Sequence, residues 1–291
     1  MEKPSRGWSK ASRLQFIEFR LYWEGRINRG DIVDRFEISI PQASLDLGSY
    51  LELAPGNMNY DKQRKAYFVA DDFKPALIRP NANDYLSQLE MLQVERESPF
   101  SHRSFVGSPP VFDIVPSPER IVNAETFRKI LQAIREKKAL EIEYQSMNRP
   151  APIWRWMAPH AIASDGFRWH IRAYCFEHNK FIDFVFGRIL ALRDTRDSDI
   201  NPLDDSQWNS LIELTIGPNP GLTEGQKKVI ALDYGMRDGT TKLVVREALS
   251  QYLKKRLGLM LNISGKESPP EEQHLILISE RHLSSEISKA S

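Results

Sequence analysis

Apolar residues in the first eighty positions follow a helical period, which then gives way to the pattern of a short hairpin. Residues 9–23 repeat apolar side chains every three or four positions and predict an amphipathic helix. Residues 28–36 predict a shorter second helix, and Ser39 followed by Pro41 is typical of the start of a third. Two β-prone runs within residues 58–69 flank a polar turn. This order predicts a helix-turn-helix with a β-hairpin wing.

Strand-like patterns dominate the middle of the chain, after a mixed region. Residues 81–94 keep a helical rhythm, whereas residues 97–118 are rich in Ser, Pro and Gly and include a predicted short strand at 111–115. A helix over residues 126–138 then leads into four short strands, which predict a small, strongly bent sheet or barrel. These four predicted strands are residues 140–144, 154–162, 169–176 and 181–190.

A third pattern, in which strands and helices alternate, follows an Asp-rich turn around residues 194–205. It predicts a small α/β module. The whole chain is therefore expected to be an α+β multidomain protein. The predicted elements of the third region are strands at 212–216, 241–245 and 274–279 and helices at 223–234 and 247–257.

Composition places the 291-residue chain among ordinary globular proteins, because 41% of its residues are hydrophobic and 27% are charged. Cys175 is the only cysteine, which excludes an intrachain disulfide and a zinc site built from several cysteines. No apolar run approaches the roughly 18 residues that a membrane span needs, and the charged N-terminal stretch is unlike a signal peptide. We therefore expect a cytoplasmic protein. The 40 basic and 39 acidic residues nearly cancel, so any nucleic-acid site must be local.

The third helix and the wing carry the candidate DNA contacts. A winged helix-turn-helix reads base edges with the start of its third helix, while wing cations bind phosphate. Gln42 can pair with adenine, and Asp46 can accept from cytosine N4 or orient a neighbour. The alternative is a scaffold for protein contacts, which the acidic Asp46 favours. The outward positions are Ser39, Gln42, Ser44 and Asp46, and the phosphate candidates are Lys62, Arg64 and Lys65.

Polar and aromatic groups interrupt the apolar strands of the middle region. Alternation places Arg168, His170 and Arg172 on one face of their strand. Guanidinium groups beside Tyr and His suit a phosphate or a nucleic-acid backbone, and aromatic rings can stack on bases. The alternative is a solvated sheet face whose arginines pair with Glu141, Glu143 or Asp183. The candidate ligand-binding residues are Tyr144, Ser146, Arg155, His160, Arg168, Trp169, His170, Arg172 and Arg188.

Catalytic and metal motifs are missing from the sequence. Cys175 lies three residues before His178, but the apolar strand around it indicates a buried structural thiol. The chain has no Gly-x-Ser-x-Gly elbow, Walker loop or His-Glu-x-x-His helix. Leu45, Leu47 and Leu51 are expected in the core. We predict no catalytic residue, no metal and no cofactor.

Two groups of motifs carry a family resemblance. The first comprises residues 40–47 (IPQASLDL), 53–55 (LAP) and 59–61 (NYD), and the second comprises residues 159–161 (PHA), 165–173 (DGFRWHIRA), 183–184 (DF) and 187–189 (GRI). In this order they resemble the WYL-domain transcriptional regulators, and within them the CapW and BrxR group associated with bacterial anti-phage defence islands. The resemblance extends to about residue 259. The Trp-Tyr-Leu triplet that names the family is Trp169-His170-Ile171 here.

The resemblance implies a homodimeric repressor with an Sm-like β-barrel WYL domain as ligand sensor. The implied domains are a winged helix-turn-helix at residues 1–80, a helical linker at 81–122, the WYL domain at 123–200 and a dimerising C-terminal extension at 201–291. It implies an inverted-repeat DNA operator and an anionic effector, a nucleotide or single-stranded nucleic acid, that releases repression of an anti-phage defence operon. Two alternatives stay open: an accessory subunit that senses nucleic acid and regulates an enzyme, and a Cys or His hydrolase.

Overall fold

The computed structural model describes residues 9–95, 104–116, 118, 120–259 and 269–283. The chain divides into two compact units after Pro116. Among the helices of the described residues, none is long and apolar enough to cross a membrane.

The first unit is a winged helix-turn-helix, as the sequence predicts. Side chains cap its first three helices, with Ser9, Asn28 and Ser39 as the N-cap residues. The wing hairpin is extended by a two-residue strand that the sequence did not reveal, in the sheet order β1-β3-β2. The predicted strand at 111–115 is wrong, because these residues form no ladder. The elements are α1 (Lys10–Glu24), β1 (Arg26–Ile27), α2 (Arg29–Phe36), α3 (Ile40–Leu53), β2 (Met58–Asp61), β3 (Ala66–Val69) and α4 (Ala82–Glu95).

A buried glutamate fixes the chain that leaves the wing. Glu18 of α1 is fully buried, and its carboxylate accepts hydrogen bonds from the Tyr50 hydroxyl and from the backbone N–H groups of residues 76–78. Beyond this segment, α4 packs on α1, where Tyr85 stacks on Phe19 with ring centroids 5.9 Å apart. The helix at the start of the expected linker therefore packs within the first unit.

The second unit begins with a helix packed on a five-stranded antiparallel sheet of order β7-β6-β5-β4-β8. The single strand predicted at 181–190 is wrong, because a 3-10 turn at Phe186–Arg188 divides it into two strands. The edge strands β7 and β8 are not paired in the described residues, so the expected closed barrel is not confirmed. The elements are α5 (Ala124–Glu136), β4 (Lys138–Tyr144), β5 (Ile153–Ser164), β6 (Trp169–Cys175), β7 (Lys180–Val185) and β8 (Ile189–Asp197).

The same unit continues into a smaller sheet of order β10-β9-β11, which is antiparallel throughout. Ile212, Leu214 and Ile216 of its central strand are buried. In contrast, the described helix α7 contains no buried residue. The elements are α6 (Ser206–Asn209), β9 (Leu211–Pro218), α7 (Glu224–Asp233), β10 (Thr241–Arg246), α8 (Ser250–Arg256) and β11 (Leu275–Leu283).

Candidate nucleic-acid interface and effector site

The start of α3 presents three of its four predicted positions where a ligand could reach them. Ser39 is exposed and accepts the N–H of Gln42 at 3.3 Å, which begins the helix. Ser44 is exposed, and its hydroxyl donates to the Ile40 carbonyl at 3.0 Å. Gln42 is half-buried. Ser39 and Ser44 therefore face outward, and the side chain of Gln42 is partly accessible.

The outward placement predicted for Asp46 is wrong. Asp46 is fully buried, and its carboxylate accepts from Arg13 of α1, with 2.6 Å to Nε and 3.1 Å to Nη2. Its position places it beside Ala43, Leu47 and Tyr50 on the core side of α3. The hydrogen bond that Arg13 donates to Asp46 raises the pKa of Arg13.

Asp46 nevertheless contacts Gln42, one of the predicted DNA contacts. The Gln42 side-chain amide nitrogen donates to Asp46 Oδ1 at 3.1 Å. This contact fixes the direction of the amide and leaves its carbonyl oxygen and second N–H hydrogen for a base edge. Asp46 therefore orients a neighbour, the second of the two roles predicted for it.

Leu45 is a second correction in α3. The sequence places it in the core with Leu47, yet its side chain is 65% exposed while Leu47 is buried. Two leucines at i and i+2 point to different sides of a helix, so only one of them can face the core.

The wing cations Lys62, Arg64 and Lys65 are all exposed, as a phosphate contact requires. Asp61 orders their turn by accepting the N–H groups of Gln63 and Arg64 at 2.8 and 3.0 Å. These hydrogen bonds, led by that from Arg64, lower the pKa of Asp61.

The nine predicted ligand-binding residues of the larger sheet fall into two sets with different partners. The open set is Tyr144, Ser146, Arg155 and Arg188. The latched set is His160, Arg168, Trp169, His170 and Arg172.

The open set retains unused hydrogen-bond donors. The Arg155 guanidinium lies 5.5 Å from the centre of the Tyr144 ring and 3.3 Å from Glu177. Its Nε and Nη2 atoms are buried and have no partner among the described residues. Arg188 ends the 3-10 turn, and its backbone carbonyl accepts from the N–H of Gln145, beside Ser146. In the described part of the chain, no carboxylate pairs with Arg188.

Arg172 is the centre of the latched set. It is buried, and Asp205 binds it bidentately, at 2.7 Å from Nε and 2.9 Å from Nη2. Asp183 accepts from Nη1 at 3.2 Å, and Gln207 accepts from Nη2 at 3.1 Å. Burial would lower the pKa of Arg172, but the two carboxylates raise it. The guanidinium is therefore already neutralised within the protein.

His160 joins the same carboxylate. It lies at the β-bulge of β5, which directs its side chain towards Asp205, and the Nε2–Oδ2 distance is 3.0 Å. Burial is the largest influence on His160 and lowers its pKa, although Asp205 acts in the opposite direction. Asp205 also caps α6 by accepting the Trp208 N–H. One carboxylate thus connects the larger sheet to the segment that enters the C-terminal sheet.

Two of the remaining latched residues, Arg168 and His170, contact Asp165, and His170 also contacts Tyr252. Burial would raise the pKa of Asp165, but hydrogen bonds from His170 and from the backbone N–H groups of Phe167 and Arg168 lower it to about 2. The Tyr252 ring lies 4.7 Å from the His170 ring, and its hydroxyl donates to Asp183 at 2.9 Å. Burial raises the pKa of Tyr252. Trp169 is 56% exposed.

The alternative of ion-paired arginines describes part of this arrangement. Arg172 does pair with Asp183, as that alternative required, but Glu141 pairs with Arg193, which is not one of the arginines in question. The face around Arg172 is buried, however, rather than solvated. Its main partner, Asp205, was missed, although its position directly before a short helix is a sequence signal for an N-cap.

Cys175 is fully buried, as predicted for a structural thiol. Its sulfur and the ligand atoms of Glu177 and His178 lie within 4.8 Å of one another. Glu177 is already paired with Arg149 and Arg155, and two neighbouring guanidinium groups oppose the binding of a cation.

Three protein families match successive parts of the chain. Residues 9–91 match the BrxR transcriptional regulator winged helix-turn-helix domain, and residues 125–194 match the WYL domain. Residues 211–283 match the BrxR transcriptional regulator C-terminal dimerization domain.

Similar proteins extend this match over most of the chain. The DNA-binding transcriptional repressor CapW of Stenotrophomonas maltophilia is 40% identical over 272 residues, covering 93% of this chain and 89% of that protein. The repressor of the same name from Pseudomonas aeruginosa is 37% identical over 270 residues, with the same coverage. Among solved structures, the proteasome accessory factor B/C (PafBC) of Arthrobacter aurescens aligns with a TM-score of 0.25 and 17% identity, covering 98% of this chain and 49% of that one, a similarity too loose to bear on the fold.

Proposed function

Because this chain belongs to the BrxR and CapW family of WYL-domain transcriptional regulators, we propose that it is a dimeric, sequence-specific DNA-binding transcriptional repressor. The observation that supports DNA binding best is the geometry of α3 and the wing. The capped start of α3 presents Ser39, Gln42 and Ser44, and the wing presents three exposed cations. Base edges and phosphates are thus each given suitable partners. We place its action in the cytoplasm, at the nucleoid.

A gel-shift experiment with the region upstream of its own gene tests this proposal. The protein should bind that duplex more tightly than a scrambled duplex of equal length and composition. Equal affinity for both would contradict sequence-specific repression and favour the accessory-subunit alternative, in which duplex recognition is absent.

We infer that helix α7 of the C-terminal domain provides a surface for dimerisation. The apolar side chains of Val229 and Leu232 on α7 are 55% and 81% exposed. The helix also lies within the residues that match a C-terminal dimerization domain. We infer that this face of α7 contacts the second copy. A two-fold dimer would then require an inverted-repeat operator, with half-sites about one helical turn or a multiple apart.

The open set is the site we propose for an anionic effector, a nucleotide or a single-stranded nucleic acid. Arg155 has two buried nitrogens without partners, and Arg188 has no carboxylate partner in the described chain. Buried donors such as those of Arg155 destabilise the folded protein unless a ligand or a water molecule accepts their hydrogen bonds. Tyr144 adds an aromatic ring beside Arg155.

We infer that the latched set couples binding of the effector to a conformational change, through the ion pair between Asp205 and Arg172. Arg172 already has two carboxylate partners, so an additional anion there would face an excess of negative charge unless Asp205 moved away. An effector that displaces Asp205 would bind better to the unlatched state. It would therefore shift the protein away from the DNA-bound form.

Arg188→Ala tests the effector site without breaking a buried ion pair. A promoter reporter should stay repressed during phage infection with this variant, whereas the wild-type repressor should release the promoter of the proposed anti-phage defence operon. Constitutive derepression by a well-folded Arg188→Ala protein would contradict the proposal. Arg172→Ala is less informative, because it would remove the guanidinium that neutralises the carboxylates of Asp205 and Asp183.

A further inference from the structure

The outward face of α3 is mainly apolar. Leu45 is 65% exposed and Ile40 is 60% exposed, although both are large aliphatic residues. Pro41 and Ser44 are exposed as well. A Cβ atom added at Gly48 would meet nothing within 4 Å, so open space adjoins this side of the helix.

Helical geometry places these positions together. Pro41 and Leu45 are separated by one turn, as are Ser44 and Gly48, and the two rows are adjacent. None of the four carries a charge. Ser44 donates its hydroxyl hydrogen to the Ile40 carbonyl, and Gln42 keeps one N–H and its carbonyl oxygen for a base edge, so apolar contacts are the main interactions that the rest of this face offers.

An apolar residue on a recognition helix has one specific partner in the major groove. The C5-methyl group of thymine is the apolar group that a base pair displays there, and aliphatic side chains contact it. The absence of a side chain at Gly48 permits close approach of the helix to the groove floor. We propose that Leu45 is a specificity-determining residue that recognises a thymine methyl group in each operator half-site. This proposal rests on the proposed DNA-binding function.

Uracil substitution removes the methyl group without altering the hydrogen-bonding edges of the base. The probe is the duplex from the upstream region, prepared by amplification with either thymidine or deoxyuridine triphosphate. Wild-type protein should bind the uracil duplex about fourfold more weakly per half-site, the factor that corresponds to about 0.8 kcal/mol for one buried methyl-sized group. Leu45→Ala should bind the thymine duplex more weakly and should lose its preference for thymine over uracil.

Leu53→Ala is the matched control, because Leu53 is an exposed leucine at the other end of the same helix. It should retain the full thymine preference. Both substitutions replace an exposed helical leucine with alanine, a strong helix former, so folding should be preserved and a thermal melt can check it.

The possible results separate this inference from the function on which it rests. If Leu45→Ala retains the wild-type preference for thymine, methyl recognition by Leu45 is overturned while repression by DNA binding stands. If wild-type protein prefers neither the upstream duplex over scrambled DNA nor thymine over uracil, both proposals are overturned.

Discussion

The carboxylate of Asp46 connects Gln42, a proposed DNA contact, to Arg13 and the core side of α3. We expect Asp46→Ala to reduce the free energy of unfolding by about 3 to 5 kcal/mol, because it leaves the Arg13 guanidinium without its carboxylate partner in a largely buried position. Chemical denaturation measures this change. Glu52→Ala, an exposed carboxylate on the same helix, should change stability by less than about 0.5 kcal/mol. A loss below about 1 kcal/mol for Asp46→Ala would contradict the structural role assigned to the pair.

His160 gives the second unit a dependence on pH in the neutral range. Burial lowers its pKa, Asp205 raises it, and Arg172 and Arg246 lower it, so the folded state holds fewer protons than the unfolded chain. Stability should therefore be complete above the ordinary histidine pKa of 6.5 and should fall as the pH drops through that value. The lowered pKa values of Asp165 and Asp205 affect stability only in a separate, more acidic range.

Melting temperatures measured between about pH 7.5 and pH 5.5 test this dependence. The wild-type protein should melt at a lower temperature at the acidic end, and His160→Gln should show a smaller decrease. His178→Gln alters an exposed histidine in the turn between β6 and β7 and should behave as the wild type does. An unchanged pH dependence in His160→Gln would assign the effect to another group.

At the scale of elements, α3 and the wing should contribute differently to DNA binding. Lys62→Ala should weaken binding to operator and scrambled duplex alike and should reduce the salt dependence by about one unit of slope, because it removes one phosphate contact. Gln42→Ala should instead change base preference at one position of each half-site. Gel shifts over a salt series measure both effects. Lys180→Ala, an exposed lysine of the second unit, is the control and should alter neither. A wild-type salt slope with Lys62→Ala would remove this residue from the interface.

The sequence predicts those elements whose signals are local. The start of α3 was predictable because Ser39 and Pro41 favour a helix start by their own chemistry. The turn that separates β7 from β8 was not, because the run from Phe181 to Leu190 is mostly apolar and β-prone, and Gly187 followed by Arg188 is too weak a signal to end a strand. The two-residue strand β1 is too short to show alternation.

The difference between local and long-range signals also explains which features of the candidate sites the sequence predicts. Sequence alternation predicts Arg168, His170 and Arg172 on one face, and the structure shows that His170 and Arg172 are both buried. The partners of these residues, Asp205 and Tyr252, lie 33 and 82 positions away from Arg172 and His170, and only the packing of the C-terminal segment on the sheet brings them into contact. Long-range pairing of this kind cannot be derived from periodicity. Helical spacing does place Asp46 on the buried face of α3, but the partner that makes a buried carboxylate tolerable there, Arg13, lies 33 positions away.

At the scale of the whole molecule, dimerisation should depend on the apolar face of α7. Leu232→Glu places a charge on a surface that would be buried between two copies, so it should convert the dimer to a monomer in sedimentation experiments and weaken operator binding. Leu190→Glu alters another exposed leucine, on β8, and should leave the dimer intact. A dimer of unchanged stability in Leu232→Glu would show that another face of the C-terminal domain forms the contact.

The ion pair between Asp205 and Arg172 should determine the affinity of the larger sheet for an anionic ligand. Asp205→Asn removes one of the two carboxylate charges that pair with Arg172 and keeps a side chain that can cap α6. We expect a fluorescein-labelled single-stranded oligothymidylate to bind this variant about tenfold more tightly than it binds the wild type, since a competing charge-assisted pair is lost. By linkage, operator affinity should fall in the same variant. Fluorescence polarisation and gel shifts measure the two changes.

Asp204→Asn is the control, because it removes one carboxylate at the neighbouring position, where the structure shows no contact between the Asp204 side chain and Arg172. Its overall charge equals that of Asp205→Asn, so any binding of the oligonucleotide to the winged helix changes equally in both variants. A difference between them therefore reports on the contacts of Asp205, chiefly its ion pair with Arg172, and not on net charge. Equal affinities in the two variants, with normal melting curves, would show that Asp205 does not compete with an anion and that the effector acts without opening this ion pair.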